Sequence, residues 1–204
     1  MEYRFHIPIY NTRMEGKYLE TLKEILVARG IKADKFEQVG APMDETRMFT
    51  FGGVLAIISE KTRVTSTEFK NFITFASENG YAGGIIIITP TKPSESILQL
   101  VRDHISDKEN QLVQIFFQSH LNFNISKHRK VPKHRIMAQD EIDKMVKEYN
   151  LQKLKSLPKI DSQDAMAKWI GARPGDVIEI TGMCVASGEN KRYRYCLANA
   201  YETS

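Results

Sequence analysis

Apolar positions recur at helical spacing near the start of the chain. Tyr18, Leu22, Ile25, Leu26 and Arg29 share one face of a helix expected over about 13–29, and Gly30 stands where it would stop. The stretch MFTFGGVLAII (48–58) is apolar and β-branched, which predicts one or two strands with a turn or bulge at Gly52-Gly53. Thr65 or Ser66 is placed to cap a helix running to about 79, with Phe69, Phe72, Ile73 and Ala76 on its apolar side. Ile85 to Ile88 form an unbroken apolar run, as in a strand covered on both faces. A strand–helix–strand order over 48–88 predicts a crossover unit in a mainly parallel sheet. Ser94 or Ser96 would cap the next helix, through Leu98, Val101 and Ile105. Residues 112–125 (LVQIFFQSHLNFNI) predict one more strand, or two broken by a bend.

The pattern then changes. Residues 126–137 (SKHRKVPKHRIM) hold five Lys/Arg and two His with no acidic residue. Ile142, Met145, Val146 and Tyr149 follow at i, i+3, i+4 and i+7 of an amphipathic helix, with Asp140 and Glu141 in its positive first turn. A shorter helix is expected after the Asp164 N-cap, burying Met166, Trp169 and Ile170 and ending at Gly171. RPGDVIEI reads as a turn into a strand, and ASGEN reverses the chain into a second one. There Tyr193, Tyr195 and Leu197 alternate with Arg192, Arg194 and Cys196.

At 204 residues the chain can form one large domain or two small ones. Its composition, 42% hydrophobic and 26% charged, is that of a globular protein. The net charge of +4 is uneven: residues 1–125 carry 14 basic and 15 acidic side chains, and 126–204 carry 15 and 10. Two units with different surfaces fit that division. The expected fold is therefore an α/β N-terminal unit over 1–125, followed by a small α+β unit over 126–204. The two cysteines, Cys184 and Cys196, are read as reduced thiols, out of register for a bridge across a hairpin turning near Gly188. No stretch approaches the roughly 18–20 apolar residues of a membrane span, and MEYRFHIPIYNTR lacks a signal-peptide core. An intracellular protein is expected.

There is no phosphate-binding G-x-x-x-x-G-K-[ST], G-x-G-x-x-G, H-E-x-x-H or G-x-S-x-G pattern. His128 and His134 sit among cations that would repel a divalent metal, so no metal or cofactor is expected. A metal-dependent nuclease needs an acidic triplet on a strand. Glu68-Phe69-Lys70 belongs instead to a helical pattern, and chance spacing explains it. The TPTKPSES loop has two readings: hydroxyls, backbone N–H groups and a helix N-terminus that contact phosphate, or simply a capped turn between strand and helix. The Arg/Tyr alternation of 192–195 is likewise either a sheet with one wet face or a nucleic-acid platform.

The last 80 residues go further. His128-x-x-Val131-Pro132-x-His134, Leu157-Pro158-x-Ile160, Asp164, and Gly171-x-Arg173-x-Gly175-Asp176-Val177-Ile178 occur in order, around an amphipathic helix and before a Tyr/Arg-rich strand. Together they resemble the fifth subunit of eukaryotic nuclear RNA polymerases, which is shared by polymerases I, II and III and has an archaeal counterpart. YLETLKEILVARGI and GGIIIITPTKPSES extend the likeness, more faintly, into the first 125 residues, which the archaeal form lacks. Three places depart from the family pattern: Ala165 stands for a proline after Asp164, Gly182-Met183-Cys184 for an Arg-x-Ser, and Cys196 for an arginine. Such drift points to a copy on its own evolutionary path, as in a large nucleocytoplasmic DNA virus with its own polymerase.

The resemblance implies a non-catalytic polymerase subunit without cofactors. Residues 1–125 would be a jaw beside downstream duplex DNA, approaching its phosphates through Thr89, Pro90, Thr91, Lys92, Pro93 and Ser94. Residues 126–204 would dock on the largest subunit, with the motif residues His128, Val131, Pro132, His134, Leu157, Pro158, Asp164, Gly171, Arg173, Gly175, Asp176 and Val177 serving assembly. The basic stretch becomes the joint between the two. A nuclear location follows for a cellular protein, or host cytoplasm and virion for a viral one. A metal-dependent nuclease and a free-standing DNA-binding protein are the alternatives.

Overall fold

The computed structural model describes residues 12–32, 35–41, 45–184 and 188–200. Residues 1–11, residues 185–187 and the Cys184 side chain, on which parts of the leader, hairpin and thiol expectations rest, lie outside the described residues.

The N-terminal half is built on a five-stranded sheet in the order β1-β2-β3-β4-β5. Helix α1 (Thr12–Ala28) precedes the short β1 (Glu37–Val39). Next come β2 (Thr46–Phe51) and β3 (Val54–Ser59), then α2 (Ser66–Glu78), β4 (Ile85–Thr89), α3 (Glu95–Ser106) and β5 (Val113–Phe117). Strands β3, β4 and β5 are parallel neighbours joined by α2 and α3, as the crossover pattern requires. The expected mainly parallel sheet is corrected to an evenly mixed one, because β1–β2 and β2–β3 pair antiparallel. The cause is local. Gly52 and Gly53 both adopt positive φ (55° and 83°), which closes a two-residue hairpin between β2 and β3.

Every residue of β3 and β4 is buried, so both faces of the sheet are covered. One face packs against α2 and α3 through Phe69, Phe72, Ile97, Val101 and Ile105. Helix α3 therefore leads with Ile97, while Leu98 is only half-buried. The other face packs against α1 through Tyr18, Leu22, Ile25 and Leu26. Thr65 makes the expected cap: its Oγ1 accepts from Glu68 N at 3.3 Å while the Glu68 carboxylate accepts from Thr65 N at 2.8 Å. A second strand over 112–125 does not form. After Phe117 the chain winds into 3-10 turns at Gln118–Leu121 and Ile125–Lys127.

The C-terminal half holds β6 (Lys133–Ile136), α4 (Gln139–Glu148), β7 (Lys159–Asp161), α5 (Ala165–Ile170), β8 (Val177–Cys184) and β9 (Gly188–Leu197). Its four strands run in the order β6-β8-β9-β7, with only β7–β9 parallel. Pro132 directly precedes β6, fitting its fixed φ and missing donor. In the β8–β9 register, Cys184 lies opposite Gly188 and Tyr195 opposite Val177, so the two cysteines are at opposite ends of the ribbon. Each face of this sheet carries an apolar cluster: Cys196 packs with Ile160, Ala167, Ile178 and Ile180, while Tyr193 and Tyr195 pack with Val177 and the α4 residues Ile142 and Met145. Burial pushes the Cys196 thiol up to about 12, keeping it protonated.

The two halves share one core. Met166 and Trp169 of α5 belong to the same cluster as Tyr18, Leu22, Phe116 and Leu121. Helix α5 reaches β5, the border strand of the five-stranded sheet, through Lys168, whose Nζ donates to the Ile115 carbonyl and whose own carbonyl accepts from Gln114.

Candidate functional site

The loop at 89–94 leaves the C-terminal end of β4, where the parallel strands converge. Thr89 is buried, and its hydroxyl is directed at the carbonyls of Thr91 (2.7 Å) and Phe116 (3.5 Å). The Thr91 hydroxyl donates to the Thr62 carbonyl at 2.5 Å. Both threonine protons are spent holding the loop. Pro90 and Pro93 are half-buried, and Lys92 and Ser94 are exposed. Ser94 holds the N-cap position of α3 with extended backbone, but its side chain makes no cap bond and meets the Ser96 hydroxyl at 3.0 Å. The serine cap expected of Ser94 or Ser96 is therefore positional only. What faces outward is a lysine, a pair of hydroxyls and the start of a 12-residue helix.

The basic stretch is partly consumed inside the fold. Lys127 pairs with Glu24 of α1 at 2.7 Å, and Asn124 donates to the same carboxylate at 2.5 Å, holding Glu24 below the usual carboxylate range. Arg135 grips Glu179 through Nε and Nη2 (2.9 and 3.1 Å) and reaches Glu141 at 2.6 Å. That pairing lowers the Glu141 carboxyl to about 2 and raises the guanidinium. Arg129, Lys130 and Lys133 stand exposed. His128 is exposed, and His134 turns Nδ1 to the Pro132 carbonyl at 2.8 Å. Among the described residues no three His, Cys, Asp or Glu side chains gather as a metal site.

Most of the motif residues shape the fold and its seam. The Asp164 carboxylate accepts from Met166 N (2.8 Å) and Ala167 N (3.2 Å), capping α5. Gly171 ends the helix at φ 76°, and a Cβ there would lie 3.1 Å from Arg29 Nε. Arg173 donates from Nη1 to the Asn110 carbonyl at 2.7 Å in the other half, while its N–H meets Asp176 at 2.7 Å. Gly175 N donates to the Cys196 carbonyl, and Val177 is fully buried. Val131 packs on the shared core, Leu157 packs on the α4 side, and the Pro158 carbonyl accepts from Tyr195 N at 2.9 Å.

Three side chains that site reasoning passed over complete the seam. Arg29 donates from Nε to the Trp169 carbonyl (3.0 Å) and from Nη2 to Gln114 Oε1 (2.6 Å) and the Lys168 carbonyl. Burial pulls its pKa down to about 10, so it remains a cation at neutral pH. Lys168, 5% exposed, donates from Nζ to the Ile115 carbonyl at 3.1 Å and lies 4.9 Å from the Phe116 ring centroid. Gln114 Nε2 donates to the Lys168 carbonyl at 3.1 Å. The one available signal was Arg29 standing in an otherwise apolar stripe.

Residues 123–196 match the family model for the C-terminal domain of RNA polymerase Rpb5. The chain is 46% identical over 74 residues to DNA-directed RNA polymerase subunit Rpo5 of Sulfolobus acidocaldarius, covering 36% of this chain and 87% of that one. It belongs to the Rpb5/Rpo5 family of RNA polymerase subunits. The Rpo5 of Archaeoglobus fulgidus is 38% identical over 74 residues, covering 36% of this chain and 96% of its own. That of Methanosarcina mazei is 42% identical over 72 residues, covering 35% and 91%. As an Rpb5/Rpo5 member the chain is a non-catalytic subunit of a DNA-directed RNA polymerase, and neither the nuclease nor the free-standing regulator is supported. No helix among the described residues is long and apolar enough to cross a membrane.

Proposed function

We propose that the C-terminal half, 126–204, is the docking unit on the polymerase's largest subunit, and that 1–125 projects beside downstream duplex DNA. The observation that carries this reading is the coverage of the archaeal relatives: a match of 74 residues takes in 87–96% of their length, so they consist almost wholly of the part shared with this C-terminal half. The N-terminal half is then an addition with its own task. At the converging strand ends it exposes Lys92, with Arg63 nearby, beside exposed Ser94 and the positive end of α3, a surface suited to sequence-independent phosphate contacts. Exposed His128, Arg129, Lys130 and Lys133 line the joint and suit acidic protein surface.

Nucleotidyl transfer and its metal ions belong, in this reading, to the large subunits. The drift at Ala165, Met183 and Cys196 supports a divergent copy, as a large nucleocytoplasmic DNA virus would carry; a divergent set of the other subunits in the same genome tests that. Native affinity purification tests the docking role. The chain should co-elute in stoichiometric amount with a polymerase largest subunit through residues 126–204, and a chain that elutes alone would sink the proposal.

A further inference from the structure

Beside the 89–94 loop a cleft of about 400 Å3 opens on the seam between the halves. Lys92, Arg102 and His120 line it from the N-terminal half, Gln163 and Lys168 from the C-terminal half. Among the described residues Glu95 is the one carboxylate in the lining itself, with Asp164 and Asp161 acting on Lys168 from beside it. The Glu95 carboxylate is already engaged by Arg102 Nη1. The charge is therefore concentrated and only partly neutralised, in a place where part of the hydration has been stripped away.

The donors are also incompletely used. Arg102 is 7% exposed, and its Nε is buried without a hydrogen-bond partner. Buried donors of this kind are rare, because each costs the desolvation of a polar group with nothing returned. Lys168 Nζ makes one bond, to the Ile115 carbonyl, and an ammonium has three hydrogens to give. The His120 ring lies against Phe117, with centroids 3.6 Å apart. Its pKa is lowered first by burial and then by Lys168 and Lys92, so cations from both halves act on this ring. An anion between them would remove that repulsion and take up the remaining donors.

We propose that this cleft binds a phosphate-bearing anion, held by Lys92 and His120 from one half and Lys168 from the other, so that the ligand ties the halves together. Tetrahedral phosphoryl oxygens, pointing in several directions, suit donors drawn from both sides of a cleft better than a planar carboxylate, which pairs best with a single guanidinium fork. The phosphate can be free or part of a nucleic-acid strand. The site stands on its own lining and does not require the duplex to lie against the loop.

The test is calorimetric titration of the full chain with pyrophosphate at fixed ionic strength, with chloride as the balancing ion, alongside thermal unfolding. Saturable binding that raises the melting temperature is expected. Lys92→Ala removes an exposed cation without touching the core and should weaken binding roughly tenfold. Glu95→Gln removes the carboxylate of the described lining and should strengthen binding, a change of sign that a merely structural role would not produce. Displacement of pyrophosphate by a short DNA strand identifies a nucleic-acid source, and failure to displace it identifies a free anion. Pyrophosphate acting no differently from chloride would overturn the site, as would titrations indifferent to both Lys92→Ala and Glu95→Gln.

Discussion

Arg29 Nε donates to the carbonyl of Trp169 at 3.0 Å, across 140 residues of chain. The same guanidinium reaches Gln114 and the Lys168 carbonyl, so one helical side chain of the first half satisfies the end of α5 in the second. These acceptors sit where water cannot replace the donor. Arg29→Leu should therefore destabilise the chain by about 3 kcal/mol. For a chain of this size that lowers the melting temperature by roughly 6–12 °C, read by differential scanning calorimetry.

Trp169 is the sole tryptophan and is 4% exposed in the shared core. Its fluorescence therefore reports on the seam and nothing else. Residues 126–204 expressed alone should keep the β signature in circular dichroism, while their emission shifts to the red. Emission unchanged from that of the full chain would mean that the first half does not cover this ring.

Burial lowers the Lys168 amine to about 8, against an ordinary 10.5. The unfolded chain then holds this proton more tightly than the folded one between those values, so stability rises with pH there. From pH 8 to 9 the gain is about 1 kcal/mol. The Cys196 thiol, pushed up to about 12, already offsets part of that gain from pH 8 and opposes it more strongly above pH 9, because the unfolded thiol ionises first. Melting temperatures measured from pH 8 to 9 should climb in the native chain and fall slightly in Lys168→Met, where the Cys196 thiol acts alone.

Asp164 caps α5 with two backbone bonds, but Ala165 stands at the first helical position, where proline is suited. Asp164→Ala should cost about 1 kcal/mol. Ala165→Pro should add roughly 0.4–1 kcal/mol by restricting the unfolded chain. Urea midpoints of the two variants, moving in opposite directions, check both.

Lys92 is exposed and takes no part in the seam bonds of Arg29. Lys92→Glu should reduce crosslinking to downstream DNA in assembled polymerase and impair elongation or promoter opening, with the subunit still bound. Unchanged crosslinking would remove the loop from the DNA-facing surface.

Features written locally were legible in the sequence. The caps at Thr65 and Asp164, the glycine stop at Gly171 and the hairpin at Gly52-Gly53 each depend on a few adjacent residues, and each formed where expected. Strands β1 and β7 went unforeseen. Each is three residues long, too short for an alternation to show. The bend after Phe117 was open in the reading, but nothing in QSHLNFNI announced 3-10 turns. The motif residues carried the family, yet their positions show why they recur together. Gly171 makes room beside Arg29, and Arg173 reaches Asn110, so several guard the seam more than an outward surface. No spacing rule encodes a bond between positions 29 and 169, and so Arg29 showed itself only as a cation among apolar neighbours.

Helix α5 shields the border strand of a sheet that is finished some fifty residues earlier in the chain, where Lys168 closes on Ile115. During translation the first half thus emerges with an unprotected flank, and it stays so until the shielding helix clears the ribosome. Ribosomes stalled between codons 125 and 165 should yield nascent chains that recruit chaperones or clump, whereas release of the completed polypeptide ends that vulnerability.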